Sequence, residues 1–191
     1  DKYTVQTGAT ASFSAAQAAK TITLEGTGVA EVKVNSSSDI SATSLYSTIS
    51  KVNVVSGTAI VSVAQISGKT VIGSGNISID NGVAATAYDF SNVNNSGTKA
   101  IAFITGGSLS NSTNLSGFSS ITVAAGQTVG MTQTQVASLA SKVATTGSLT
   151  VASGTVTSTS IAAVSSNISK FVAGNITSID TVTATQLNLI I

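Results

Sequence analysis

The chain lacks cysteine, histidine, tryptophan and proline altogether, and its 191 residues include a single methionine. Zinc, iron–sulfur and haem sites normally take cysteine or histidine ligands, so the sequence predicts none of them. Nucleophilic catalysis by a Ser-His or Cys-His pair is excluded for the same reason. We therefore expect no enzymatic activity and no cofactor, with calcium as the one metal left open.

Charged residues are also scarce. They form 8% of the chain, against about 25% in an ordinary globular protein. All eight basic residues are lysines, spread singly along the sequence, and seven acids leave a net charge of +1. A nucleic-acid-binding surface normally clusters its basic residues and includes arginine. We therefore expect no nucleic-acid partner.

Long hydrophobic runs are missing as well. Apolar residues make up 42% of the chain, but serine, threonine and glycine interrupt them before they reach the roughly 18 residues of a spanning helix. No basic segment precedes an apolar stretch, so these residues predict no signal peptide. Disordered chains combine few apolar residues with a high net charge, and this composition is the opposite. The sequence predicts a folded chain without a membrane span.

What the chain does contain is a recurring phrase: apolar, any residue, apolar, two further residues, then glycine. "ITVAAG" at 121–126 is one copy. Six copies start at Tyr3, Val52, Ile77, Ile101, Ile121 and Leu149, and degenerate copies start at Ile22 and Ile176. The mean spacing of these starts is about 25 residues.

A period in this range with apolar alternation at each start is typical of a solenoid, because each repeat buries its apolar edge only by stacking on its neighbours. Alternate strand residues share a face, so the first and third positions should point inward. The sequence predicts an all-β fold with short helices, a parallel β-solenoid (β-helix) of about eight rungs with roughly 25 residues each. We expect one domain spanning 1–191, with a fragment of a longer repeat array as an open alternative.

The glycine that ends each phrase predicts a corner, where the chain turns with positive φ or passes close to the next rung. These glycines are Gly8, Gly57, Gly82, Gly106, Gly126 and Gly154.

Three segments between phrases have helical spacing. Val136, Leu139, Ala140 and Val143 fall on one helix face, with Thr132 or Thr134 as the N-cap. Segment 160–171 repeats this pattern, and segment 41–52 repeats it more weakly. Irregular loops rich in alanine and serine are the alternative.

Acidic residues offer few sites. A polysaccharide-active β-helix enzyme would bring carboxylates together on adjacent rungs. Glu25 and Asp80 share one position of the phrase, but no acid occupies a neighbouring rung there, so the sequence assigns no catalytic residue. Asp80 and Asp180 are weak calcium candidates, since each could combine with turn carbonyls. Solvated turn residues are the alternative for both.

The final segment "QLNLII" places three apolar side chains on one strand face and carries no charge. Such an end exposes core and strand edges unless it is covered. We predict that Leu187, Leu189 and Ile191 mediate self-association. The alternatives are a longer array and a last strand buried in its own coil.

The repeated phrases, with the "TQTQV" and "TATQL" segments that accompany them, resemble the β-strand-repeat regions of bacterial surface-layer proteins and large secreted adhesins. The resemblance implies export to the cell surface, self-assembly outside the cell and, in many members, calcium. It suggests a structural module of an extracellular surface layer or filament whose partners are its own subunits. The alternatives are an adhesin or carbohydrate-binding stalk that binds glycans on its helix-bearing side and, more weakly, a polysaccharide-active β-helix enzyme.

Overall fold

The computed structural model describes residues 2–20, 23–45, 47–110, 112–132, 135, 142–143, 148–157 and 171–180. Its contacts divide the chain into two compact units. Unit 1 comprises Asp1–Ile79 and Asp89–Lys99, and unit 2 comprises Asp80–Tyr88 and Ala100–Ile191. The single domain expected for 1–191 stays a prediction, and each unit is described by itself.

Unit 1 is built from short parallel strands and two helices of four residues. The strands are β1 (Lys2–Thr4), β2 (Thr10–Phe13), β3 (Thr23–Glu25), β4 (Val29–Val34), β5 (Ser38–Asp39), β6 (Lys51–Val54), β7 (Thr58–Val61), β8 (Thr70–Ile72) and the beginning of β9 (Asn76–Val83). The helices are α1 (Ala15–Ala18) and α2 (Val63–Ile66). Strand β1 pairs with β3. A second sheet has the strand order β2-β4-β6-β8, and β5, β7 and β9 pair in that order in a third sheet.

The pairing register in unit 1 gives the length of one turn of the chain, which we call a coil. Ser12 pairs with Glu31, Glu31 with Lys51, and Lys51 with Thr70, so successive coils advance by 19, 20 and 19 residues. All these pairings are parallel. The predicted parallel β-solenoid is therefore confirmed.

Unit 2 has the same architecture. Its strands are the end of β9, β10 (Lys99–Thr105), β11 (Gly107–Ser108), β12 (Ser120–Val123), β13 (Thr128–Met131), β14 (Ser148–Thr157) and β15 (Phe171–Asp180). The first residue of β10, Lys99, belongs to unit 1. Strand β10 pairs with β12, and β11, β13, β14 and β15 form one parallel sheet in that order. Ile101 pairs with Ile121, and Val129 with Leu149, a step of 20 residues in both cases.

The predicted rung length and stacking column differ from the structure. Paired residues are 18 to 23 positions apart, not about 25. In the part of the chain that the structure describes, the turns number about six, not about eight. Val52 in β6, Ile101 in β10 and Leu149 in β14 belong to three different sheets, although the phrase predicted one column. The phrase recurs on different sides of the coil, so its spacing is not the length of a coil.

The predicted inward faces are confirmed. Eight of the apolar phrase positions are almost fully buried: Val52, Val54, Ile77, Ile79, Ile101, Phe103, Ile121 and Val123. Burying an aliphatic or aromatic side chain of this size contributes about 1.5 to 3 kcal/mol, so these rows form the main source of stability. Among the described phrase positions, Tyr3, with 36% of its surface exposed, and the half-buried Leu24 are exceptions.

The predicted corner glycines fall into two groups. Three have positive φ, namely Gly8, Gly57 and Gly126. Gly82 and Gly106 lie close to other backbone, since an added Cβ would sit 2.8 Å from the oxygen of Ala102 and 2.4 Å from that of Thr128, respectively. Gly154 lies where the pairing register of β14 shifts.

The helix predictions have a mixed outcome. Segment 41–52 is wrong as a helix in its described part, because it forms turns and then enters β6. Serine and threonine side chains there compete with helical hydrogen bonding. Thr132 is confirmed as an N-cap, with Gln135 N–H bonded to its Oγ1 at 3.3 Å. Val136, Leu139 and Ala140, together with residues 160–170, lie outside the described residues. Val143 and Phe171 were predicted on helix faces, and both predictions are wrong, because Val143 forms a parallel bridge with Ile121 and Phe171 begins β15.

Helices α1 and α2 were not predicted, because neither has the length that a periodic apolar pattern requires. Among the residues that the structure describes, no helix is long and apolar enough to cross a membrane.

Candidate functional site

The structure describes two of the sequence-predicted site residues, which lie on strands of different sheets. Asp80 is exposed on β9, and Asp180 ends β15, where the backbone alone is described. The described residues include no cluster of three or more acidic, histidine or cysteine side chains that could hold a metal ion. The calcium candidates therefore stay predictions. Leu187, Leu189 and Ile191 lie outside the described residues.

One carboxylate in unit 1 is buried, which sequence reasoning did not predict. Glu31 occupies a polar position of β4, yet only 4% of it is exposed. The Ser12 hydroxyl donates to Glu31 Oε1 at 2.8 Å, and Asn53 Nδ2 donates to the same oxygen at 3.3 Å. Lys51 Nζ lies 3.0 Å from Oε2. Strands of three successive coils supply these contacts, so the carboxylate ties the coils together.

These neighbours stabilise the ionised form of Glu31. Burial acts to raise the pKa of Glu31, but the hydrogen bonds from Ser12, Lys51 and Asn53 and the charge of Lys51 outweigh it, so its pKa is lowered. Its partners are a lysine, a hydroxyl and an amide. The arrangement suits an ion pair that stabilises stacked coils.

A polar pocket of about 240 Å³ lies beside α2. Its polar lining consists of Ser41, Thr43, Ser44, Ser62, Gln65 and Lys69. Lys69 Nζ donates to the carbonyl oxygen of Ile49 at 2.5 Å, and partial burial lowers the pKa of Lys69. The pocket therefore offers several hydroxyls and one oriented amine to a small polar ligand.

Gln65 forms one wall of this pocket and joins two coils. Its Oε1 accepts from the N–H of Ser62, the residue before α2, at 2.7 Å. Its Nε2 donates to the carbonyl oxygens of Ile40 and Thr43, at 2.5 and 2.6 Å, in the preceding coil. Both ends of the side-chain amide are therefore used, which explains how a glutamine that is 3% exposed is tolerated.

The turn that accepts the hydrogen bonds of Gln65 is closed by hydrogen bonds of its own. Asp39 Oδ1 accepts from the N–H and the hydroxyl of Ser41, at 2.9 and 2.6 Å, and these bonds lower the pKa of Asp39. The N–H of Thr43 then donates to Ile40 O at 2.8 Å. These bonds close the turn and place its two carbonyl groups for the glutamine.

The same arrangement recurs in unit 2. Gln135 Oε1 accepts from the N–H of Thr132 at 3.0 Å. Its Nε2 donates to the carbonyl oxygens of Ser110 and Thr113, at 2.9 and 3.2 Å, in the preceding coil. We call this arrangement the glutamine clamp: a capping residue, a glutamine three positions later, and two carbonyls of the preceding coil.

A third copy, in the first coil of unit 1, is half used. Gln17 Oε1 accepts from the N–H and the hydroxyl of Ser14, at 2.9 and 3.0 Å, and caps α1. Gln17 is exposed, and within the described part of the chain its Nε2 makes no hydrogen bond.

The sequence carries a signal for these clamps outside the repeated phrase. Ser or Thr followed three residues later by Gln is a capping box, and it occurs at 14–17, 62–65, 132–135 and 183–186. The last copy lies outside the described residues. The capping half could have been predicted, but the carbonyls come from the preceding coil and depend on the register.

The described geometry thus provides a buried ion pair that joins three coils, a small polar pocket and a clamp that joins coil to coil. A scan against protein-family models and searches of curated proteins and of solved structures found no match to this chain.

Proposed function

We propose that this protein is a structural module of a bacterial extracellular assembly, a surface layer or filament, that works through self-association. The parallel solenoid supports this proposal, because its coils are held by contacts that another coil of the same kind could continue. The resemblance of the repeated phrases to surface-layer and adhesin repeats supports the bacterial and extracellular part.

The observation that carries the proposal is the pair of edge strands in the first coil. Within the described residues, β1 pairs only with β3, and β2 pairs only with β4. An unpaired strand edge presents free N–H and C=O groups to another strand. Strand β2 is Thr-Ala-Ser-Phe, with neither the proline nor the charge that commonly blocks such an edge.

Light scattering and electron microscopy of the purified chain test this proposal. We expect ordered fibres or sheets above a critical concentration. Thr10→Lys puts a charge on the exposed edge of β2 and should raise that concentration several-fold, since an edge lysine disfavours strand addition. Thr86→Lys, in an exposed turn of unit 2, is the matched control and should leave it unchanged. A chain that stays monomeric at high concentration would contradict the proposal.

A second candidate, an adhesin or carbohydrate-binding stalk, draws support from the polar pocket beside α2. Hydroxyls, an amide and an amine are groups that hydrogen-bond sugars. Glycan-array binding tests it, with Ala64→Phe as the variant, because Ala64 lines the pocket and is exposed. We expect the added ring to abolish any binding; equal binding by the variant, or none by the parent, would contradict this candidate.

A further inference from the structure

We infer that the pocket beside α2 binds a sugar acid, and that the amine of Lys69 pairs with the carboxylate of that ligand. The inference rests on the proposed carbohydrate binding and names the class of sugar. It concerns unit 1 alone and is independent of self-association.

The pocket contains one charge, and no carboxylate of the protein neutralises it. Lys69 is the only charged residue among the described residues that line the pocket. Within the described ranges, Lys2 and Lys51 each form an ion pair with a glutamate, whereas Lys69 forms none. Removing an ammonium group from water without a counter-ion is costly, so a bound anion is the partner that this lysine favours.

The aspartates of the adjoining turns are used by their own serines. Asp39 bonds to Ser41, as described above. Asp89, whose carbonyl group accepts from the N–H of the residue before Lys69, uses its Oδ1 to accept from the N–H and the hydroxyl of Ser91, at 2.9 and 2.6 Å. Burial lowers the pKa of Lys69, and no described carboxylate opposes that shift.

The amine has a fixed position in the pocket wall. Lys69 Nζ donates to the carbonyl oxygen of Ile49, in the preceding coil, at 2.5 Å. An ammonium group has three donors, so two more are available to an acceptor in the pocket. Because the bond to Ile49 already restricts the side chain, binding orders it little further, which favours affinity.

The rest of the wall suits a hydroxylated ring. Hydroxyl groups both donate and accept hydrogen bonds, as the hydroxyls of a sugar do, and the wall supplies those of Ser41, Thr43, Ser44 and Ser62. The amide of Gln65 is not available, since both of its ends bond to the protein. Leu45 and Ala42 add apolar surface for the C–H groups of a ring.

The volume of the pocket favours a small ligand. Its 240 Å³ corresponds to about eight water molecules, at about 30 Å³ each in the liquid. A space of this size suits a single sugar ring. In a longer glycan, the ring that carries the carboxylate would occupy the pocket, and the remaining rings would lie outside it.

Titration of the purified full chain with glucuronate and with glucose tests the inference, because the two sugars differ in one group, a carboxylate in place of a hydroxymethyl. Backbone amide shifts in NMR spectra measure the affinity and locate the site. We expect glucuronate to bind at least about tenfold more tightly than glucose, since hydrogen bonds between charged partners are the stronger ones. Acetate, which has the carboxylate without the hydroxyls, should bind at least about tenfold more weakly than glucuronate.

A matched pair of variants at Ala64 tests the role of charge. Ala64 lines the pocket and is exposed, so it has room for a longer side chain. Ala64→Glu adds a carboxylate that repels glucuronate and competes for Lys69, and it should weaken glucuronate binding at least about tenfold. Ala64→Gln has nearly the same size without the charge and should keep the preference for glucuronate over glucose. Both variants retain the bond between Lys69 and Ile49.

Lys69→Met tests the amine itself. It keeps an apolar stem and removes the charge, so we expect glucuronate to lose its advantage over glucose. Lys142→Met is the control, because Lys142 Nζ also donates to a carbonyl oxygen of an earlier coil, that of Ser116, in unit 2. It should change glucuronate binding by less than about twofold. Circular dichroism checks the folding of both variants, and the Ala64 pair carries the test if Lys69→Met does not fold.

The outcomes separate the inference from carbohydrate binding in general. A parent chain that binds neither glucuronate nor any glycan on an array overturns both. A parent that binds glycans, but takes glucose or acetate as tightly as glucuronate, overturns the inference and leaves carbohydrate binding standing. Undiminished glucuronate binding by Ala64→Glu, or amide shifts confined to residues away from the pocket, has the same consequence.

Discussion

The first coil of unit 1 and the coils that follow it use the same pairs of residues in different surroundings. Lys2 and Glu25 form an ion pair at 3.0 Å, as Lys51 and Glu31 do. The side chains of the first pair are 75% and 52% exposed, and those of the second 22% and 5%. The inner carboxylate also accepts a hydrogen bond from the Ser12 hydroxyl in the preceding coil. The two ion pairs therefore have equal lengths but stabilise the fold unequally, because water screens the outer pair.

The glutamines and corner glycines follow the same rule. Gln17 and Gln65 have the same local cap, and Gly8 and Gly57 have the same positive φ, at 81° and 71°. Among the described residues, the later member of each pair contacts the preceding coil and the earlier member does not. The local sequence forms each cap, corner and ion pair, and the contacts with the adjacent coil set how much each of them contributes to the free energy of unfolding.

The corner glycines should show the largest difference. Gly57→Ala combines left-handed strain with a Cβ 2.3 Å from Ser37 N, and we expect it to lower the free energy of unfolding by about 3 kcal/mol. Gly8→Ala has the strain alone and should lower it by about 1 kcal/mol. Urea unfolding of the monomeric protein measures both. Equal losses would show that the neighbouring coil does not matter at this corner.

The glutamine clamp should show the next largest effect. Gln65→Ala removes the side-chain donor from the carbonyl oxygens of Ile40 and Thr43, of which Ile40 O keeps its bond from Thr43 N–H, and it opens a buried space. We expect a loss of about 2 kcal/mol. Gln17→Ala removes only an exposed cap and should reduce the stability of the monomer by about 0.5 kcal/mol. Chemical denaturation with circular dichroism checks the pair. A Gln17→Ala loss as large as that of Gln65→Ala would break the comparison.

Acid should weaken the inner ion pair between Glu31 and Lys51. The folded-state pKa of Glu31 is lowered, so its contribution is present above the ordinary glutamate pKa of about 4.3 and is lost as the pH falls through the lowered value. We expect Glu31→Gln to lower stability by about 1 to 2 kcal/mol at pH 7 and to make the fall in acid less steep. Unfolding curves between pH 7 and pH 2.5 measure this. An unchanged pH profile would contradict it.

The outer ion pair should show the smallest effect. Glu25→Gln removes a partner from an exposed pair, so we expect a change below about 0.5 kcal/mol that salt further reduces. Thermal unfolding at low and high ionic strength measures it. A loss as large as that of Glu31→Gln would show that exposure does not distinguish the pairs.

The sequence predicted the parts of the fold that depend on neighbours along the chain. Alternation identified Val52, Val54, Ile121 and Val123 as inward-facing, because the two faces of a strand follow directly from backbone geometry. The phrase also located corners, since glycine alone adopts positive φ without strain.

The coil length could not be obtained in the same way. The phrase occurs on several sides of the coil, so its spacing of about 25 mixed one coil with parts of the next, whereas the register gives 18 to 23. The helices α1 and α2 were missed because four residues are too few to show a helical period. Their Ser-x-x-Gln caps were present in the sequence.

By itself, the sequence determined that this chain is a repetitive parallel β-solenoid with a mainly aliphatic interior and glycine corners, because strand alternation and glycine conformation are local properties. Only the tertiary structure decided which residues stack. It buried Glu31 on a polar strand position and completed the clamps of Gln65 and Gln135, while the clamp of Gln17 remained half used. The reason is physical: burial and hydrogen-bond partners in a solenoid come from the adjacent coil, and the register that selects those partners is set by the packing of the whole stack.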